Sequence, residues 1–365
     1  MLSAGSTPLS TLGLGQHQAE FAETSAGNGE KTAERYSSGV VPLAEKKLVA
    51  QLRRIADTSR RGRFRPSAGA LLKGIGDDCA VLRLLGDTLV TTDFTIEGIH
   101  FRREWHPPES VGHRCLARGL SDIAAMGGEP VAAFLSVALP RDLAQAWVGR
   151  FARSLIRLAE KHGIKLAGGD TAESLNGILA DIMVVGTVPK GKAILRSTAR
   201  PGDRIYVSGE LGGSAAAVTS MLSSKKKVNP RDYPRHFYPE PRIELGRILR
   251  KKQIPSAMID TSDGLSTDLA HICEESGVGA ELDAALIPRA RVGKPAREVD
   301  LDLALHGGED YELLFTARPG KRVPAQIAGV AITDIGQITR GHRIFAGGGK
   351  RTVYELRPRG WEHFA

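Results

Sequence analysis

The sequence predicts a mixed α/β (α+β) protein with two domains. Apolar runs typical of strands alternate with segments whose apolar residues recur every three to four positions, as in amphipathic helices, and both halves of the chain show this order. With 365 residues, 41% of them hydrophobic, the chain can bury two substantial cores. The turn Pro189–Lys192 is the best internal boundary, so we expect an N-terminal domain at 41–189 and a C-terminal α/β domain at 190–365.

Composition limits the partners and the compartment. The net charge is +9, but aromatic residues are only 5% and the basic residues are dispersed, so we expect small anionic ligands and no nucleic acid. The three cysteines lie far apart without a CxxC spacing, which favours a reducing cytoplasm. Residues 1–40 are polar and are not patterned as a signal peptide, so they predict a disordered extension. No apolar run is long enough to predict a membrane span.

In the first half, helical spacing predicts a helix over 44–56, and two strands follow over 80–84 and 88–92. Asp93 should then lie in a loop at a strand edge. Pro108 begins a helix that Gly127-Gly128 ends, which places Asp122 on a helix. A strand over 131–139, a helix ending at Gly163 and a strand over 178–188 complete this half.

The second half repeats this order. A strand over 204–207 runs into a glycine turn, and a helix follows from Ser214 to Leu222. Residues 225–241 hold three lysines and four prolines, which predicts a surface linker before a helix over 242–251. A strand then enters Asp260, and a helix runs from Gly264 to Gly277, so Asp260 and Asp263 share one strand-to-helix elbow. The last strands are predicted over 311–316 and 331–338.

Seven short segments place an acidic residue beside glycine or a small hydroxyl residue. They are Gly74–Cys79, Thr91–Asp93, Leu120–Asp122, Gly168–Thr171, Asp260–Gly264, Ser266–Asp268 and Gly307–Asp310. Any one of them could be a turn or a helix start. Two carboxylates about 4 Å apart repel by about 4 kcal/mol at an effective dielectric constant of about 20, so the pairs Asp77-Asp78 and Asp260/Asp263 favour a bound cation. Together the segments predict a phosphate site with several Mg²⁺ ions.

Other nucleotide and metal motifs are missing from the sequence. It contains no HExxH, GxSxG or GxGxxG element, and its ten histidines show no ligand pairing on a helix. The run Gly347–Thr352 is similar to the end of a P-loop, but Ile344 and Arg351 break that pattern, so we interpret it as a hairpin turn. The sequence therefore does not support a P-loop NTPase, a zinc hydrolase or a dinucleotide-binding protein.

The acidic segments resemble those of thiamine-monophosphate kinases from about Leu43 to the C-terminus. The quoted segments come in the family's order, and two of them, Glu97–Phe101 and Gly307–Glu312, separate these kinases from the wider superfamily of aminoimidazole ribonucleotide and selenophosphate synthetases. Arg118-Gly119 departs from the family, which often has Val-Asn before Leu-Ser-Asp, and residues 1–40 have no counterpart. The resemblance implies two α/β domains whose N-terminal sheet forms a barrel with that of a partner, in a homodimer.

The resemblance also implies a reaction and a set of roles. ATP would phosphorylate thiamine monophosphate to thiamine diphosphate, assisted by several Mg²⁺ ions, and no catalytic general base is expected because the nucleophile is already an anion. The Mg²⁺ ligands would be Asp78, Thr91, Thr92, Asp93, Asp122, Asp170, Asp260 and Asp263. The residues contacting ATP would be Gly169, Asp170, Arg196 and Ser262, and those contacting thiamine monophosphate would be His100, Glu309 and Trp361.

Several alternatives stay open at this point. Arg196 could be a solvated loop arginine, His100 a core histidine at a strand end, and Trp361 an apolar plug for the tail. Another ATP-dependent synthetase of the same superfamily is the second enzymatic hypothesis. A non-catalytic nucleotide sensor or an RNA-binding protein would be expected to lack the acidic ligands or to stack aromatic residues beside basic runs, and neither pattern is present.

Overall fold

The structure of the protein is a computed structural model, and it describes residues 50–55, 69–75, 79–224, 228–348 and 351–360. Two main sheets and their helices make up the fold. The predicted extension, most of the first predicted helix, Asp77, Asp78 and Trp361 lie outside these ranges. Residues 50–55 are helical, and Leu52 in them is buried.

The N-terminal sheet has four strands. A separate strand pair, β1 (Gly69–Lys73) and β2 (Val81–Leu84), precedes it. The sheet contains β3 (Asp87–Ile96), β4 (Glu129–Pro140), β5 (Lys165–Ser174) and β6 (Leu179–Val188) in the order β3-β6-β4-β5. Only the β4–β5 pair is parallel among these, because the connection between them contains a crossover helix. The helices α1 (Pro108–Ala125) and α2 (Gln145–Lys161) pack on one face of the sheet.

The two faces of this sheet differ in burial. Side chains alternate along β3, so Leu89 and Thr95 face the helices and are buried, whereas Val90 and Phe94 face the other way. Val90 is 60% exposed and Phe94 is 53% exposed. The outer face is therefore an apolar surface that the helices leave uncovered.

The C-terminal sheet has eight strands. They are β7 (Arg204–Ser208), β8 (Pro255–Asp260), β9 (Gly279–Asp283), β12 (Leu313–Ala317), β13 (Gln326–Ile327), β14 (Val330–Thr339), β15 (Ile344–Gly348) and β16 (Arg351–Glu355). The strands β10 (Arg291–Val292) and β11 (Arg297–Glu298) pair separately. The helices are α3 (Gly213–Ser224), α4 (Pro234–Phe237), α5 (Ile243–Lys251), α6 (Leu265–Ser276) and α7 (Leu301–His306).

Helix α1 belongs to both cores. Most of its buried side chains pack against the N-terminal sheet, but Ala124 and Ala125 at its C-terminal end join a cluster with Leu249 of α5 and Met258 of β8. The side chain of Arg250 also donates a hydrogen bond of 2.6 Å to the carbonyl oxygen of Gly127. The two sheets therefore meet along α1, and residues on α1 can face groups from both halves.

The mixed α/β class is confirmed, and three local predictions are wrong. Asp93 lies within β3 and not in a loop, since the strand continues to Ile96. Tyr311 precedes β12 and has a positive φ of 53°, which no strand residue adopts. The described part of the predicted linker is no surface loop: it contains α4, in which Phe237 is completely buried.

The domain boundary and the dimer barrel stay predictions. Within the ranges given above, no helix combines the length and the apolar character needed to cross a bilayer.

Candidate active site at the junction of the two sheets

A pocket of about 500 Å³ opens where α1, β3, the β8–α6 elbow and the loop before β12 come together. Elements far apart in sequence contribute its walls, because α1 packs against both sheets. Seven of the predicted site residues line it: Asp93, Asp122, Asp260, Asp263, Ser262, His100 and Glu309.

Four of these lining residues are aspartates from four elements. Asp93 comes from β3, Asp122 from α1, Asp260 from the end of β8 and Asp263 from the elbow that follows. The hydroxyl group of Thr91 donates a hydrogen bond to Asp122. That of Ser121 donates one of 2.6 Å to Asp260, which is 5% exposed. The predicted acidic cluster is thus assembled by the tertiary structure.

Electrostatics in this cluster favours a bound cation. Burial and the neighbouring Asp122 raise the pKa of Asp93 to about 7 and that of Asp260 to about 8. Burial also raises the pKa of Asp122, against the hydrogen bond from Thr91. A carboxylate in such a place is costly to ionise unless a cation compensates its charge.

The donor set fits Mg²⁺ bound together with phosphate groups. Among the described residues, no three His, Cys, Asp or Glu side chains cluster closely enough to hold a metal ion by themselves. Mg²⁺ normally takes only one or two carboxylates and completes its octahedron with water and substrate phosphates. The hard oxygen ligands and their raised pKa values match that mode of binding.

Glu309 lines the same pocket and is held by an arginine. The Nη2 atom of Arg114 donates to both carboxylate oxygens at 2.6 Å. Burial alone would raise the pKa of Glu309, but Arg114 and Arg118 lower it to about 2, so the group is an anion at neutral pH. The backbone N–H of Glu309 donates to the Ser262 carbonyl oxygen at 2.8 Å, which ties this loop to the elbow. A Cβ atom at Gly308 would lie 2.6 Å from that oxygen, so the approach requires glycine.

The other predicted pocket residues have defined positions. The Nδ1 atom of His100 accepts a hydrogen bond of 3.0 Å from the backbone N–H of Ile96, which leaves the ring proton of a neutral imidazole on Nε2. Arg196 is exposed, and its positive charge lowers the pKa of Asp122 against the effect of burial. Arg196 is therefore near the acidic cluster although its side chain is on the surface.

Five of the described predicted residues do not line this pocket. Thr91 and Arg196 lie near its acidic cluster, as described above. Thr92 is exposed and belongs to the outer face of the N-terminal sheet, because side chains alternate along β3. Gly169 and Asp170 lie in β5, which is separated from β3 by β6 and β4, and Asp170 pairs in register with Ser136 on that same outer face. The predicted metal set is therefore divided between the two faces of the sheet.

Asp78 and Trp361 lie outside the described residues. The residue before Trp361 is nevertheless beside the pocket: the N–H of Gly360 donates to the Thr267 hydroxyl group at 3.1 Å. A Cβ atom at Gly360 would lie 2.0 Å from the Asp263 carbonyl oxygen. The C-terminal segment therefore reaches the elbow that carries Asp263.

The sequence analysis missed several polar residues around this pocket. Arg114 and Arg118 lie four residues apart on α1, about two turns and one turn before Asp122, so helical spacing alone could have placed them on one face. The imidazoles of His106 and His236 approach each other at 2.9 Å between their Nε2 atoms, and Arg114 lies 3.2 Å from His236. No local sequence signal links these two histidines, which are 130 residues apart.

Comparisons with known proteins identify the family of the chain. The family model "AIR synthase related protein, N-terminal domain" matches residues 76–188, and "AIR synthase related protein, C-terminal domain" matches residues 200–348. The thiamine-monophosphate kinase of Escherichia coli K12 is 40% identical over 280 residues, which are 73% of this chain and 84% of that protein. That of Bacillus subtilis 168 is 35% identical over 252 residues, 67% of this chain and 77% of that protein.

Solved structures show the same similarity. The thiamine-monophosphate kinase of Stenotrophomonas maltophilia K279a has a TM-score of 0.70 and 34% identity, over 84% of this chain and 98% of its own. A complex of AaThiL with AMPPCP and TMP has a TM-score of 0.67 and 29% identity, over 90% of this chain and 100% of its own. Both family models and the curated relatives cover most of the chain, so it belongs to the thiamine-monophosphate kinase family of AIR synthase related proteins.

Proposed function

We propose that this protein transfers the γ-phosphoryl group of ATP to thiamine monophosphate, which yields thiamine diphosphate and ADP. The observation that carries the proposal is the pocket itself, in which four aspartates from four elements face an ionised glutamate held by Arg114. Family membership supplies the substrates, since the related AaThiL has been solved with an ATP analogue and TMP.

The proposed roles divide the pocket into a phosphate side and a thiamine side. In the pocket, Mg²⁺ would be held by Asp93, Asp122, Asp260 and Asp263, with contributions from Asp78 and Thr91, and when bound it supplies neutralisation of phosphate charge. Ser262 in the pocket and Arg196 beside it would contact ATP, whereas Thr92, Gly169 and Asp170 lie outside the pocket and have no role in it. His100, Glu309 and Trp361 would contact thiamine monophosphate.

The residues of the chain act by positioning and charge, and proton transfer is not required. The attacking atom is a phosphate oxygen, which is ionised near neutral pH. The Arg114–Glu309 pair and the hydrogen bond between Glu309 and Ser262 fix the acceptor wall relative to the β8–α6 elbow. Such fixed geometry is what an in-line displacement needs.

A substrate assay tests the function directly. ADP release is measured with ATP and Mg²⁺ in the presence of thiamine monophosphate, of an aminoimidazole ribonucleotide precursor, or of selenide. We expect release with thiamine monophosphate alone, and identification of thiamine diphosphate as the second product. Release with one of the other two acceptors would assign the chain to a synthetase of the same superfamily and reject the proposal.

The outer face of the N-terminal sheet supports a homodimer. Val90 and Phe94 are more than half exposed there, and a second copy of the same face would bury them. Phe94→Asp should therefore give a monomer in sedimentation velocity, whereas Leu175→Asp at a 93% exposed loop position should not. A Phe94→Asp variant that stays dimeric would rule out this face.

The cytoplasmic location is part of the same proposal. All three cysteines are free, which suits a reducing compartment that also supplies ATP.

A further inference from the structure

Two arginines on the same face of α1 have very different partners. The Nη2 atom of Arg114 donates to both oxygens of Glu309 at 2.6 Å and to the carbonyl oxygen of His100 at 3.2 Å. Its Nη1 atom lies 3.2 Å from the Nε2 atom of His236. Arg114 is therefore fully engaged within the protein.

Arg118, one turn later, lines the pocket without such partners. Its closest ion-pair distances are 3.6 Å, from Nε to Oδ1 of Asp93 and from Nη1 to Oε1 of Glu309, which is longer than a hydrogen bond. Within the described part of the chain, its Nε atom is buried and has no hydrogen-bond partner. A buried N–H group without an acceptor is destabilising, so this guanidinium, which lines the pocket, keeps a donor that the protein itself does not satisfy.

The positive charge on Arg118 is permanent. Burial would lower its pKa, but Tyr311, Glu309 and Asp93 raise it above the usual value for arginine. The side chain is only 16% exposed, so its charge acts where water screens little. A planar guanidinium of this kind binds phosphate oxygens with paired N–H donors.

The neighbouring glycine helps to bring Arg118 into the pocket. A Cβ atom at Gly119 would lie 2.7 Å from Cγ2 of Val184 on β6, so glycine allows α1 to approach the sheet closely at this turn. Arg118-Gly119 is also the pair at which this chain departs from the residues that the family often has.

We propose that Arg118 binds a phosphate oxygen of the phosphomonoester acceptor, an inference that rests on the proposed kinase function. It lies beside Glu309 on the acceptor wall. The predicted ATP contacts Gly169 and Asp170 lie in β5 at the opposite edge of the N-terminal sheet, but Ser262 is in the same pocket, so the choice of the acceptor rests on the proposed contact of Glu309 with thiamine monophosphate. The guanidinium would neutralise part of the acceptor's charge in addition to the metal ions, and it would recognise the phosphate group of the acceptor and not its rings.

The test compares ligands with and without the phosphate group. Binding of thiamine monophosphate, thiamine and AMPPCP is measured by calorimetry, with Mg²⁺, on the full chain and on Arg118→Val, Arg118→Gln and Arg118→Lys. Arg157→Val, at an exposed position of α2, is the matched control. We expect Arg118→Val and Arg118→Gln to weaken the binding of thiamine monophosphate roughly tenfold to hundredfold. The affinities for thiamine and AMPPCP should not change, and Arg118→Lys should recover part of the affinity for thiamine monophosphate.

Each other outcome overturns the inference. Equally weaker binding of thiamine monophosphate and thiamine would mean that Arg118 acts by positioning Glu309. Weaker binding of AMPPCP alone would mean that Arg118 contacts the nucleotide. Unchanged affinities would remove it from binding altogether. If Arg118→Val does not fold, Arg118→Gln decides by the same comparison, because it keeps the length and polarity of the side chain. A wild-type chain that does not bind thiamine monophosphate rejects the proposed function instead, so the two failures are distinguishable.

Discussion

Two glutamates three residues apart, Glu309 and Glu312, face opposite environments. Glu309 lies at the pocket, where Arg114 holds it and Arg118 stands 3.6 Å away. Glu312 is completely buried beside β7, where Arg242 donates to both of its oxygens, Arg235 pairs with it at 2.7 Å and Ser208 donates to it at 2.5 Å. The interior acid is saturated by donors of the chain itself.

Three of the pocket aspartates have fewer such donors. Asp122 and Asp260 accept hydrogen bonds from the hydroxyl groups of Thr91 and Ser121, and Asp93 has an ion pair with Arg118 at 3.6 Å. The pKa values alone do not separate the two groups, since burial raises the pKa of Glu312 as well as that of Asp93 to about 7. The number of partners separates Glu312 from these aspartates: Arg242, Arg235 and Ser208 occupy the oxygens of Glu312 in the interior, whereas an aspartate that lines the pocket with few donors is available to a ligand.

The largest effect should come from removing a pocket carboxylate. Asp122→Asn should lower kcat roughly a hundredfold or more, because it deletes an oxygen ligand for Mg²⁺ where phosphate charge is neutralised. Its free energy of unfolding without Mg²⁺ should stay the same or rise, since a buried anion is removed. Turnover and urea denaturation are measured on the same preparation. Near-normal turnover would contradict a metal role for Asp122.

The opposite result is expected at the interior acid. Glu312→Gln should lower the free energy of unfolding by about 3–5 kcal/mol, because it leaves the buried Arg242 guanidinium without its counter-charge. Urea denaturation gives the loss. The kcat of the fraction that stays folded should change far less than in Asp122→Asn. If Glu312→Gln is as stable as the wild type, the distinction between structural and ligand-binding acids fails.

A smaller effect is expected at the C-terminal segment beside the elbow. Trp361→Ala should raise the KM for thiamine monophosphate about tenfold and leave the KM for ATP nearly unchanged, because an indole attracts the thiazolium cation. Trp361→Phe should restore much of the loss. Equal weakening of both substrates together with a lower Tm would show that Trp361 is an apolar plug.

The smallest effect concerns the histidines behind Arg114. Burial and the charge of Arg114 lower the pKa of His106 to about 4, and burial lowers that of His236 as well. Between the usual histidine pKa and these lower values the unfolded chain binds protons that the folded chain does not, so these two histidines remove stability as pH drops below about 6.5, while the raised pKa values of Asp93, Asp260 and Glu312 act in the opposite direction.

Each such group contributes at most about 1.4 kcal/mol per pH unit. Urea denaturation at several pH values measures the slope, and His106→Gln should lose less stability than the wild type as pH drops from about 6.5 towards 4. The same slope in His106→Gln and wild type would mean that His106 is not protected from protonation.

Local patterns were sufficient for much of the fold. The helix from Pro108, the strand over 178–188 and the elbow carrying Asp260 and Asp263 were predicted closely, because the spacing of apolar residues and the end signals act within one element. The structure of the segment at 228–241 was not predicted, because its prolines and charges are typical of a surface loop although Phe237 is buried. Burial of a single aromatic residue is decided by what packs over it.

The sequence by itself determined the element types, the family and the acidic residues that carry its signature, because these depend on residue type and spacing along the chain. Only the tertiary structure decided which acids share a pocket: it joined Asp93, Asp122, Asp260 and Asp263, and it placed Thr92 and Asp170 on the other face of the sheet. It also decided that the side chain of Arg114 donates hydrogen bonds to Glu309, whereas the Nε atom of Arg118 has no hydrogen-bond partner among the described residues. Partners of this kind come from strands and helices far apart in sequence, and no local pattern contains the distances between them.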